Sequence, residues 1–196
     1  MGPGPNYFSN SSDNVRVDDD GMLHLKITKR DDKWYCAEVV LQTSEGYGTY
    51  SFITNSRIDQ LDKNIVLGMF TWDNTTTESA NREFDIEYAL WGLDSGDNGQ
   101  FSVQPYTISG HTYAYTLVLT DNLSGHRFTW WPGAITFECS RNETFTDLVA
   151  SWSFISSEVH NHNQEQARIN LWLDRGRAPS NSQEAEVIIK RFQFTR

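Results

Sequence analysis

Apolar and polar side chains alternate with a period of two along most of this 196-residue chain, and no long segment repeats at the helical 3.6. Leu23, Leu25 and Ile27 alternate with His24, Lys26 and Thr28 directly after the turn-forming Asp18-Asp19-Asp20-Gly21. Tyr35, Ala37, Val39 and Leu41 make the next apolar face, and residues 46–53 form an aromatic-rich strand. Ile65 to Trp72 is almost continuously apolar, as expected of a strand covered on both sides. The same pattern predicts strands over 82–91, 99–106, 112–120, 126–131, 134–139, 148–155, 167–174 and 185–195. Asp73-Asn74, Asp94 to Gly99, Asp121-Asn122 and Pro132-Gly133 supply turns between them, and polar 156–166 and 175–183 read as loops. The pattern predicts an all-β fold, an antiparallel β-sandwich of jelly-roll type, as one domain over 1–196.

Composition narrows the function. The 16 basic and 26 acidic side chains leave a net charge of −10, which excludes the basic stripe a nucleic-acid binder needs. No stretch reaches the ~18 consecutive apolar residues of a membrane helix, so neither nucleic acid nor membrane is an expected partner. Cys36 and Cys139 are too few for a disulfide framework or a zinc site; both sit in strand-like runs and read first as buried free thiols, with a bridge as the alternative. Met1-Gly2-Pro3-Gly4-Pro5 has neither the charged start nor the apolar stretch of a leader peptide. Sequons at Asn10, Asn74, Asn122 and Asn142 mark polar loops.

The segment Arg82-Glu83-Phe84-Asp85-Ile86-Glu87-Tyr88 carries the chemistry. On a strand Phe84, Ile86 and Tyr88 share one face, a normal core face, while Glu83, Asp85 and Glu87 share the other. Three carboxylates in a row repel one another and raise each other's pKa, which is costly between apolar neighbours unless used. Retaining glycosidases use such a pair, one carboxylate as nucleophile and one protonated carboxyl as acid, ~5–5.5 Å apart. Four residues of strand separate Cα atoms by about 13 Å, a gap that inward-leaning glutamates can largely close. The central aspartate can orient the nucleophile and help to split the two pKa values. Seven Trp and eight Tyr suit a sugar ligand, since pyranose faces stack on such rings; Trp72, Trp91, Trp130 and Trp172 all fall near strand ends or turns, with core packing the alternative role for each alone.

On these residues the chain resembles glycoside hydrolase family 16. Glu83-Phe84-Asp85-Ile86-Glu87 matches the family's E-x-D-x-E strand in its regular, unbulged form, as in lichenases and xyloglucan enzymes. Gly46-Tyr47-Gly48-Thr49-Tyr50 is similar to its G-Y-G-x-Y strand, residues 128–137 to its F-x-W-x-P-x-x-I-x-F hairpin, and Arg168-Ile169-Asn170-Leu171-Trp172 to its N-L-W cleft strand. The likeness runs in consistent order over about residues 20–195 and departs at Asn81-Arg82, where the family carries an aromatic. The resemblance implies a concanavalin-A-like jelly roll with Glu83 as nucleophile, Asp85 as its assistant and Glu87 as general acid/base. It also implies that Asn170 and Trp172 face sugar, with Gln104 and Tyr106 contributed by the strand beside the catalytic one. Trp72, Trp91 and Trp130 complete the expected substrate-binding set.

The expected activity is therefore retaining, endo-acting hydrolysis of a β-linked glucan, with a polysaccharide or oligosaccharide as partner. The protein is expected to be a monomer, extracellular or periplasmic in location. A non-catalytic, lectin-like sandwich and a transglycosylase sharing the covalent intermediate are the alternatives. No cofactor is expected, and the resemblance allows a structural calcium whose ligands the sequence does not assign. His160-Asn161-His162 lacks a third ligand and reads as a solvated loop; Asp18 to Gly21 lacks the alternating ligands of a calcium loop and reads as a turn. Arg175-Gly176-Arg177-Ala178-Pro179 reads as a salt-bridged surface turn, with contact to substrate hydroxyls the alternative.

Overall fold

A computed structural model describes residues 3–76 and 80–196; Met1 and Gly2 of the N-terminal stretch lie outside the described residues. The strands are β1 (Tyr7–Phe8), β2 (Val15–Val17), β3 (Leu23–Arg30), β4 (Lys33–Val40), β5 (Gly48–Asn55), β6 (Ile65–Trp72) and β7 (Phe84–Tyr88). They continue with β8 (Gly99–Val103), β9 (Thr112–Tyr115), β10 (Leu123–Trp131), β11 (Ala134–Ser140), β12 (Leu148–Ile155), β13 (Gln166–Leu173) and β14 (Ala185–Thr195). Two single turns of 3₁₀ helix, Ile58–Gln60 and Asp174–Gly176, are the only helical segments among the described residues.

The strands run β12-β11-β10-β5-β14-β3-β4-β13-β6-β7-β8-β9, with β1 beside β4 and β2 beside β3. Pairing is antiparallel throughout, except that β1 lies parallel to β4. The sheet doubles over at the β3–β4 hairpin, so the half from β4 to β9 packs on the half from β12 to β3. Rings from the two halves meet: Phe84 against Trp130 at 5.1 Å between centroids, and Phe101 stacked on Phe137 at 5.2 Å. Tyr113 of β9 stacks on Trp152 of β12 at 6.2 Å, bringing together the two ends of the strand order. The result is the antiparallel jelly-roll sandwich that the alternation predicts.

Twelve strands lie where the pattern puts them. The short β1 and β2 escape it, because two or three residues are too few to display a period. β7 is shorter than expected because Asn81 (φ 47°), Arg82 (φ 53°) and Trp91 (φ 54°) adopt left-handed backbone and turn the chain at both ends.

The core face of β7 rests on a buried polar chain. His126 Nδ1 lies 2.8 Å from Tyr88 Oη, His126 Nε2 lies 2.9 Å from Ser124 Oγ, and Ser124 Oγ lies 2.6 Å from Thr54 Oγ1. Tyr88 Oη also pairs with Tyr115 Oη and donates to Cys139 Sγ at 3.1 Å. Burial pushes His126 down to about 3, so the ring is neutral. Cys36 and Cys139 are both buried free thiols, the first of the two alternatives. Burial pushes them up to about 12 and about 11 respectively, which keeps both protonated.

Candidate active site

Strand register builds the site. One lateral row runs Glu38, Asn170, Gly68, Glu87 and Gln100 across β4, β13, β6, β7 and β8. The adjacent row runs Val40, Arg168, Phe70, Asp85 and Ser102. Glu83 stands one pleat further along, just before β7. These positions open on a cavity of about 400 Å³, within the range of small-ligand sites, lined by Glu83, Asp85, Glu87, Glu38, Arg168 and Asn170 on its polar side. Phe70, Trp72 and Trp172 form its aromatic wall, and Pro3, Gly68 and Asn74 complete it.

The chain is held firmly where it enters β7. Thr71 Oγ1 donates to the Arg82 carbonyl (2.8 Å) and accepts from the Phe84 N–H (3.1 Å). Arg82 pairs with the buried Asp73 at 2.9 Å, and the Glu83 N–H donates to the Ala80 carbonyl. These contacts fix the two left-handed residues that set the starting angle of the acidic strand.

All three carboxyls sit well above their ordinary range. Burial is the largest cause for each. Glu83 is raised further by the charges of Asp85 and Glu87 and by its hydrogen bond to Asp85, and lowered by Arg168. For Asp85, 3% exposed, hydrogen bonds from Gln104 and Glu83 work against burial. Glu87 is raised by burial and then by Asp85. Glu83 and Glu87 therefore hold protons at neutral pH, while Asp85, raised to about 6, is the acid that ionises and accepts the Glu83 hydrogen bond.

The remaining residues expected from sequence divide. Trp72, Asn170 and Trp172 line the cavity; Trp72 Nε1 donates to Asn74 Oδ1 at 3.0 Å. Gln104 is taken by the trio itself, its Nε2 donating to Asp85 Oδ2 at 2.9 Å. Trp91 is outside the lining and packs edge-on against Trp172 at 6.3 Å, supporting that ring from behind. Tyr106, 60% exposed, is also outside the lining; its N–H donates to Gln104 Oε1. Trp130 is a correction. It is 0% exposed, packed on Phe84 and Tyr47, and its Nε1 donates to the His160 carbonyl, so it belongs to the core and offers no face to a ligand.

The 156–166 segment is the loop expected, exposed over 161–164, with its last residue opening β13. His160 Nε2 lies 3.0 Å from the Gln104 carbonyl and His162 Nδ1 lies 2.7 Å from Glu165 Oε1, so the two rings serve separate contacts. Among the described residues, no group of three or more His, Cys, Asp or Glu is placed to hold a metal ion. The Asp18 to Gly21 segment is a turn, closed by Gly21 N–H donating to the Asp18 carbonyl, and Arg177 and Arg175 both pair with Asp174.

Glu38 and Gly68 were missed as site residues. Each left a signal: Glu38 is the lone acid in an otherwise apolar strand interior, and Gly68 interrupts the apolar run of β6, where a strand glycine marks close approach. A Cβ at Gly68 would lie 2.5 Å from Asn170 Oδ1, so only glycine lets the Asn170 amide lie flat on the cavity floor.

No protein-family model and no curated protein matches the chain by sequence. Its fold is similar to that of several solved structures. A Bacillus licheniformis β-glucanase superposes with a TM-score of 0.71 at 19% identity, covering 97% of this chain and 85% of that one. A laminarinase from Flavobacterium sp. UMI-01 superposes with a TM-score of 0.72 at 14% identity, covering 96% and 84%. A protein of Mycobacterium tuberculosis described as a pseudo β-1,3-glucanase gives 0.70 at 15% identity, covering 96% and 81%.

Proposed function

We propose that this chain is a β-glucan hydrolase of the glycoside hydrolase family 16 type, cleaving with retention through Glu83 and Glu87. The observation that carries the proposal is the placement of three buried, mutually repelling carboxyls on one face of the strand, opening on a cavity walled by Phe70, Trp72 and Trp172. The β-glucanases and laminarinase that share the fold support the choice of substrate class.

In this scheme the Glu83 carboxylate attacks the anomeric carbon while the Glu87 carboxyl gives its proton to the departing glycosidic oxygen. A covalent glycosyl-enzyme forms; Glu87, now ionised, takes a proton from water, and that water releases the sugar from Glu83. Attack requires the proton that Glu83 donates to Asp85 to lie on Asp85, one hydrogen bond away. The net charge needed is one anion and two protons over three acids, which matches the raised carboxyls. The cavity lining carries four acids and, among the described residues, one cation already paired to Glu38, which favours a neutral glucan over uronic or sulfated polymers. A polymeric substrate argues for a location outside the cytoplasm.

The test is reducing-sugar release from mixed-linkage β-glucan and laminarin by the parent, Glu83→Gln and Glu87→Gln. Release by the parent and its loss in both variants is expected. Equal release by parent and variants removes the catalytic assignment. Binding of glucan with no release by the parent favours a non-catalytic, lectin-like role; one protein of this fold is described as a pseudo β-1,3-glucanase. Product sizing in the presence of oligosaccharide acceptors separates hydrolysis from transglycosylation.

A further inference from the structure

The proposed chemistry needs Glu83 charged, yet burial, Asp85 and Glu87 all oppose that charge. On its own strand it faces Asp85 and Glu87. From β6 the cavity receives only the uncharged Gly68, Phe70 and Trp72; just past β8 the neutral Gln104 donates to Asp85. In the segments before β7 and over it, Arg82 is committed to Asp73 and His160 to the Gln104 carbonyl. That leaves β13 and β4, which bring Arg168 and Glu38 to the cavity.

Arg168 is the one cation lining the cavity among the described residues. It lies in the same lateral row as Asp85, with Phe70 between them. It is 9% exposed, its Nη1 is 3.1 Å from Glu38 Oε1, and its buried Nε has no partner among the described residues. Glu38 Oε2 also accepts from Asn170 Nδ2 at 3.4 Å, so the acid anchors both β13 side chains. A guanidinium held by one acid at one edge of its fork, with an unused donor at Nε, is oriented rather than consumed by its pair.

We infer that Arg168 is a positioning residue: held by Glu38 at the cavity that Glu83 also lines, its guanidinium biases the negative charge of the acidic trio toward Glu83. The same geometry assigns Glu38 two opposed effects, since it orients the cation and partly cancels it. This rests on the hydrolase proposal for its consequence, but not for its measurement. Arg168 acts on Glu83 through space and is not assigned a contact with the reacting atoms.

The experiment pairs two readouts. The first is the pH dependence of kcat/KM on mixed-linkage β-glucan. The second needs no turnover: titration of the Glu83 carboxyl by ¹³C NMR of carboxyl-labelled protein, with Glu83→Gln identifying the resonance. The variants are Arg168→Lys, Glu38→Gln, and the double variant Glu38→Gln with Arg168→Met, which removes the pair without leaving a buried charge alone. Circular dichroism checks that each is folded.

Loss of the one cation lining the cavity raises the carboxyl it favours, so the double variant should move both the acid limb and the Glu83 titration up, by about 1 unit. Arg168→Lys should restore both toward the parent, and Glu38→Gln alone should move both down. If the Glu83 titration stays put in the folded double variant, the inference is overturned, even where kcat/KM falls. If the parent shows no turnover but the titration moves as stated, the inference stands and the hydrolase proposal falls.

Discussion

Gln104 Nε2 donates to Asp85 Oδ2 at 2.9 Å, and the amide cannot flip without loss because Gln104 Oε1 accepts the Tyr106 N–H at 3.0 Å. The side chain expected to face sugar instead faces the acidic strand. Its donation stabilises the single negative charge of the Glu83–Asp85 pair. Gln104→Leu removes one hydrogen bond to a charged group, worth about 1.5–3 kcal/mol, or about 1–2 pH units. The acid limb of kcat/KM should move up by that amount, with KM little changed. An unmoved acid limb would show that Asp85 is held by other means.

Gly68 and Asn170 make a second dependent pair. A methyl group at position 68 would come within 2.5 Å of Asn170 Oδ1, which leaves no room for alanine without turning the amide away from Glu38 and the floor. Gly68→Ala should therefore raise KM for glucan oligosaccharides about tenfold, since ~1.4 kcal/mol corresponds to a factor of ten in binding. Tryptophan fluorescence titration with a non-cleaved oligosaccharide, in a Glu83→Gln background, reads the loss directly. Unchanged affinity would place Asn170 outside the sugar contacts.

Periodicity made the strands and the acidic face legible, because a period of two fixes which residues share a side once a strand exists. It placed Phe84, Ile86 and Tyr88 in the core and Glu83, Asp85 and Glu87 opposite them, as found. What it does not carry is the depth of an aromatic residue along its strand. Trp130 and Trp172 both alternate correctly, yet one is sealed between the sheet halves and the other lies on the open face, a difference set by strand order. The Glu38–Arg168 pair joins residues 130 apart in sequence, so only the β4–β13 register reveals it. The Gln104 and His160 contacts are likewise products of loops crossing the end of β7 rather than of any local pattern.

The acidic trio costs stability, and the sign follows from its shifts. Glu87 is raised above its ordinary 4.5 by burial and by Asp85. Such a group favours the fold most at low pH, and that contribution is lost as pH rises through the folded value. Glu87→Gln should then melt above the parent at pH 8, by about 2–4 °C for each kcal/mol relieved. The gap should close toward pH 4, where the carboxyl is protonated in folded and unfolded chains alike. Melting followed by circular dichroism across pH 4–8 checks this; a gap that does not vary with pH would show that the gain comes from packing instead.

His126 acts in the opposite sense. Burial holds it neutral with a value of about 3, against 6.5 in its unperturbed state, while both ring nitrogens serve Tyr88 and Ser124. The unfolded chain therefore binds a proton that the folded one refuses, and stability from this group is lost as pH falls below 6.5. His126→Phe keeps the volume but strips two buried hydroxyls of a partner, at about 1–3 kcal/mol each. At pH 7.5 the variant should melt about 4 °C or more below the parent, since 1 kcal/mol is worth about 2–4 °C in a chain of this size. Between pH 6.5 and 4.5 the difference should shrink, because only the parent must keep an imidazole neutral in that window. A deficit that stays constant from pH 7.5 to 4.5 would mean that the ring is protonated in the folded core, and with it that the hydrogen-bond chain beneath the acidic strand is charged.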